Sequence, residues 1–91
     1  MREPLTRLLA TELGKLHLRK YREEQGRFVI EGERLAAEAL RAGARIRLAV
    51  VTRERIERSA AFVDGLDAAG IPVLEASEKL FGKIAVTREP Q

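Results

Sequence analysis

Five cations lie between positions 19 and 34: Arg19, Lys20, Arg22, Arg27 and Arg34, with Tyr21 among them. Arginine forks donate two parallel hydrogen bonds to a phosphate, and an exposed tyrosine ring offers a platform for an unpaired base. The chemistry open to this set is the capture of a phosphate-bearing polymer, and all five are candidate RNA-binding residues. The competing reading is an ordinary solvated face with Tyr21 tucked partly into the core. A larger group, Arg41, Arg45, Arg47, Arg53, Arg55 and Arg58, is spread over helix, strand and turn and reads mostly as helix-surface charge.

Bond-making chemistry finds little to work with. His17 is the only histidine, so neither a triad nor a metal cluster can be built on a histidine pair, and it is expected on the solvated surface. Glu23 and Glu24 are adjacent on a predicted helix and do not face one another. Glu31 and Glu33 flank Gly32, where carboxylates accept from turn amides or from a nearby arginine. Gly26 and Gly32 bracket an apolar stretch instead of opening a helix together, and no Gly-Lys-Ser or Gly-Lys-Thr occurs. No catalytic, cofactor-binding or metal-binding residues are therefore identified. The chain has no cysteine, which excludes disulfides and thiolate metal sites and fits a reducing cytoplasm. Its apolar runs are too short to span a membrane.

Charge is unevenly placed. The 91 residues carry 17 Lys and Arg against 14 Asp and Glu, a net charge of +3. Seven basic and four acidic side chains fall in residues 1–27, seven and five in 28–58, and three and five in 59–91. A basic first half beside a near-neutral second half is a distribution that nucleic-acid binders often have, and one that a soluble Arg-rich protein also shows by chance.

The elements that must position these charges alternate along the chain. Leu5, Leu8, Leu9, Leu13 and Leu16 recur at helical spacing, although Gly14 weakens the last turn. The polar run 17–25 is predicted helical and ends at Gly26. Phe28, Val29 and Ile30 predict a strand over 27–31 whose burial would hold the neighbouring cations in place. Leu35, Ala36, Ala39 and Leu40 mark a helix ended by Gly43. Ile46, Leu48 and Val50 predict a strand running to Val51, with Thr52 able to cap the helix that follows. Ile56, Ala60, Val63 and Leu66 lie on one helical face, Ile71 to Leu74 form a further strand, and Ser77 can cap a last helix bearing Leu80, Phe81 and Ile84. Strands alternating with helices predict one α/β domain, an α/β/α sandwich around a small, mostly parallel sheet.

The ordered set Leu16, Arg19-Lys20, Arg22-Glu23, Gly26, Phe28 to Gly32, Arg34-Leu35 and Glu38 to Leu40, followed by Gly70 to Val73 and by Thr87, Pro90 and Gln91, resembles the N-terminal substrate-binding domain of SpoU/TrmH-type RNA 2'-O-methyltransferases. The resemblance implies a mixed sheet between helices, as in ribosomal-protein-type RNA-binding domains. It also implies a division of labour. This domain would hold rRNA or tRNA without catalysing anything, while a knotted domain beyond Gln91 would bind S-adenosylmethionine and mediate most of any homodimerisation. Residues 87–91 would begin the connection to that domain and to a strand completing the sheet, so the chain is expected to be a piece of a longer protein whose sheet is incomplete or completed by another chain. Two further readings stay open: a stand-alone kink-turn-type RNA-binding protein, and a protein-interaction or dimerisation module with incidental charge.

Overall fold

Three helix starts are set by hydroxyl caps. In the computed structural model, which describes residues 2–85, Thr6 Oγ1 accepts from the Leu9 amide at 3.1 Å, Thr52 Oγ1 from Arg55 at 3.3 Å and Ser77 Oγ from Leu80 at 3.2 Å. Each satisfies an amide that the first helical turn leaves without a partner, worth about 1 kcal/mol. They open α1 (Arg7–Gly14), α4 (Arg53–Arg58) and α6 (Glu78–Ile84). A 3-10 turn (Lys15–His17) leads from α1 into α2 (Arg19–Gln25), which Gly26 ends in the left-handed conformation. Next come α3 (Glu33–Arg41), β1 (Ala49–Thr52), α5 (Ala60–Ala68) after α4, and β2 (Val73–Ala76) before α6.

The two strands pair in parallel, with Ala49 opposite Val73 and Thr52 opposite Ala76. Beside β2, the Leu5 amide donates to the Glu75 carbonyl at 2.8 Å and the Glu75 amide to the Glu3 carbonyl at 2.9 Å, adding a parallel bridge at Pro4. Strand periodicity then sorts the core into two layers. Ala49, Val51 and Val73 meet Val63 and Leu66 of α5, with Leu40 of α3 and Ile56 of α4 packed on them. Val50, Leu74 and Ala76 meet Leu5 and, from α1 and α6, Ala10 and Ile84. The result is a small α/β domain with helices on both faces of a short parallel sheet.

Four local expectations change. No strand forms over 27–31: the segment makes no ladder with β1 or β2, and Phe28 is 70% exposed. An apolar triplet becomes a strand only when a neighbouring strand takes up its amides and carbonyls, so this segment does not anchor the cations beside it. The helical face expected through Ile56 and Leu66 is divided between α4 and α5 at Ser59, whose φ of −130° and ψ of 52° interrupt the helix. Leu8 and Leu35, assigned to apolar stripes by spacing, are exposed. His17, expected in solvent, is half-buried, with Nε2 shielded and without a hydrogen-bond partner among the described residues.

Gly14 shows why α1 tolerates a poor helix former. A Cβ there would lie 3.0 Å from the Lys83 carbonyl oxygen of α6, so glycine permits the close approach of the two helices. Gly65 in α5 has open space around it. Gly65→Ala is expected to stabilise the domain by about 0.5–1 kcal/mol. Gly14→Ala is expected to destabilise it by about 1 kcal/mol, because displacing a helical carbonyl outweighs the same propensity gain. Urea unfolding midpoints of the two variants should move in opposite directions.

At the start of the described chain, Arg2 donates to both carboxylate oxygens of Asp67 at 2.9 and 2.6 Å, tying the leading segment to α5. The hydrogen bond from Arg2 holds the Asp67 carboxyl below its ordinary value.

Candidate nucleic-acid interface

The junction between α1 and α2 is built around Arg22. Its Nη1 donates to the Leu16 carbonyl at 2.9 Å and to the His17 carbonyl at 2.7 Å, closing the end of the 3-10 turn with a cation. Leu16 is buried beneath it. Arg22 is thus an organising residue of this surface: it fixes α2 against the turn that precedes it. Removing it leaves two carbonyls without their charged donor. Arg22→Ala is expected to cost about 1–3 kcal/mol, with Arg22→Lys recovering part of the loss, as read from thermal unfolding of the two variants.

On α2 itself, the Arg19 Nε donates to Glu23 at 2.9 Å in an exposed pair. Such a pair is worth about 0.3–0.5 kcal/mol and yields readily to a phosphate. The Lys20 ammonium lies 5.7 Å from the centroid of the half-buried Tyr21 ring, and Lys15 Nζ lies 5.5 Å from it. Tyr21 therefore stabilises two cations by its π-face, and a stacked base would have to compete with them.

Arg27 follows the left-handed Gly26 and is exposed at the surface. Arg34 projects from the first turn of α3, and that turn is anchored by its neighbour. The Glu33 carboxylate accepts from Ser59 Oγ at 2.6 Å and from Arg55 Nη1 at 3.1 Å, fixing the start of α3 to α4 and to the break before α5. The expectation that a carboxylate beside Gly32 accepts from an arginine is met by Glu33 and Arg55. Gly32 itself, at φ 104° and ψ 138°, occupies backbone space that side-chain-bearing residues rarely enter.

These placements divide the five candidates into two groups. Arg19, Lys20 and Arg22 ride on α2, which packs chiefly on the 3-10 turn, while Arg34 rides on α3, which packs on α5. Arg27 lies in the segment joining them. Among the later arginines, Arg53 pairs with Glu75 at 3.0 Å and Arg55 with Glu33, both across elements, while Arg58 forms an exposed i,i+4 pair with Glu54 at 3.5 Å of the same kind as Arg19 with Glu23. Arg41 was not singled out by its local sequence. It stands seven residues after Arg34, two turns along the same side of α3, and is exposed. Its exposure agrees with the reading of that arginine group as mostly helix-surface charge.

No group of three or more potential metal ligands occurs among the described residues, and none of their helices is long and apolar enough to cross a membrane. The arrangement is that of a small α/β domain with exposed cations on α2, on α3 and in the segment between them. The chain belongs to the MRM3-like substrate-binding domain family, whose model matches residues 11–91. This agrees with the resemblance to the N-terminal substrate-binding domain of SpoU/TrmH-type methyltransferases. Comparisons with curated proteins and with solved structures gave no match.

Proposed function

We propose that this domain binds rRNA or tRNA for a ribose 2'-O-methyltransferase, supplying grip and orientation while a separate domain performs S-adenosylmethionine-dependent methyl transfer in the cytoplasm. Membership of a substrate-binding family supports the role. The observation that carries the RNA reading is the exposure of Arg27 and Arg34, which make no side-chain ion pair with the described residues, while Arg53, Arg55 and Arg58 are paired. Unpaired guanidinium groups are suited to phosphate, because nothing has to be broken to free them. Arg19 and Lys20 add charge at small cost, and Arg22 contributes mainly by holding α2 in place.

Binding of this kind is dominated by counterion release and weakens as salt rises. Titration of a fluorescein-labelled rRNA hairpin with the 91-residue chain at 50 and 200 mM KCl tests the reading. Measurable affinity at the lower salt that drops at least about tenfold at the higher supports it. No binding at 50 mM KCl overturns it.

A further inference from the structure

The third of the chain that is acidic by composition holds a basic groove. Arg7 at the start of α1 and Lys79 and Lys83 of α6 line one open depression, with Ser77 and Leu80 completing it. Among the described residues, no carboxylate lines this groove. All three cations are exposed, and none forms an ion pair with the described residues. Lys79 and Lys83 are four residues apart and so project from one side of α6. Arg7 comes from a helix more than seventy positions earlier, brought alongside by the close α1 and α6 contact at Gly14.

We propose that this groove is a second RNA-phosphate site, separate from the candidate cations of α2 and α3. The inference rests on the RNA-binding reading above and extends it to a face which that reading leaves out. Three like charges held together repel one another, and a polyanion relieves that repulsion at each of them. Ser77 adds a donor of its own. Its oxygen already accepts from the Leu80 amide, which leaves the hydroxyl proton for a phosphate oxygen. Leu80 forms an apolar wall that makes no demand for a partner. The groove belongs to the α1 and α6 layer, whereas Arg34 stands on α3 in the layer across the sheet. An RNA held at both sites must therefore follow the domain around the edge of its sheet, which favours a folded or bent RNA over a short straight strand.

The test compares the unaltered chain, a Lys79→Gln/Lys83→Gln variant and a Lys79→Arg/Lys83→Arg variant. All are titrated with the same labelled rRNA hairpin between 50 and 200 mM KCl, after circular dichroism has confirmed equal thermal midpoints. The glutamine variant is expected to bind about tenfold more weakly at 50 mM and to lower the log-log salt slope by about 1.5, as two lost phosphate contacts require. The arginine variant is expected to keep both quantities. Affinity and slope unchanged in the glutamine variant, with the unaltered chain binding normally, would overturn the groove and leave the wider RNA reading intact. No binding by the unaltered chain would overturn both. If the glutamine variant unfolds early, the same comparison is made with Arg7→Gln alone, for which a slope reduced by about 0.7–0.9 is expected and an unchanged slope overturns the proposal.

Discussion

Arg27→Glu/Arg34→Glu is expected to weaken binding of a structured rRNA fragment by about 100-fold at 100 mM KCl, equivalent to about 2.7 kcal/mol. Two contributions add. Each lost arginine removes one phosphate contact and its released counterion, and each introduced carboxylate then repels the backbone at the same place. The salt slope should fall by about 1.4–1.8, since two contacts are gone. Both side chains are exposed and unpaired with the described residues, so the variant is expected to keep its thermal midpoint within about 2 °C, a readout that separates loss of contact from loss of fold. Arg58→Glu serves as the matched control. That arginine lies on α4, outside the α2 and α3 set, and its reversal should alter RNA affinity by less than about threefold. Because the control reverses one charge and the variant two, a control loss of about tenfold, half the variant's on a logarithmic scale, would mean that total charge, rather than the placement of Arg27 and Arg34, governs binding.

The largest loss of stability is expected from Leu66→Ala. Leu66 is 1% exposed in α5 and sits with Val51, Val63, Ile71 and Val73 on one face of the sheet. Truncation removes buried methyl groups and leaves a cavity that surrounding helices close only partly, at a cost of about 2–5 kcal/mol. A domain of this size has about 5–15 kcal/mol in total, so a value near the upper end would leave little folded protein at physiological temperature. Phe28→Ala provides the contrast. Judged by composition it removes more apolar surface, yet Phe28 is exposed and outside the sheet, and the change should cost less than about 1 kcal/mol. Urea unfolding of the two variants decides the point; a larger loss for Phe28→Ala would place residues 27–31 in a buried strand after all.

That contrast also marks how far local sequence reaches. Thr52 and Ser77 were readable as caps because a hydroxyl immediately before a helical run has one nearby amide to satisfy. Gly26 and Gly43 marked helix ends because a residue at positive φ is needed there. The layer split was readable too, as Val50 and Val51 must point to opposite faces of any strand. The strand over Phe28 to Ile30 was misread for the complementary reason: its partner would have to come from distant chain, and no local pattern states whether one arrives. The candidate cations follow the same division. Their types and order were plain, but Arg22 turning back to the carbonyls of Leu16 and His17 and Glu33 being held from Ser59 are facts of packing.

By itself the sequence determined the class of the domain, its main helices and sheet strands, its lack of disulfides and the basic character of its first half, because each depends on composition or on contacts a few residues apart. Only the tertiary structure decided which cations are spent on internal carboxylates and which face solvent, since ion pairs such as Arg53 with Glu75 and Arg55 with Glu33 join residues 22 positions apart. It also decided that an acidic final third should carry a basic groove. Net charge is a sum along the chain, whereas the field at a groove depends on distance in space, and the approach of α6 to α1 at Gly14 places Arg7 beside Lys79 and Lys83.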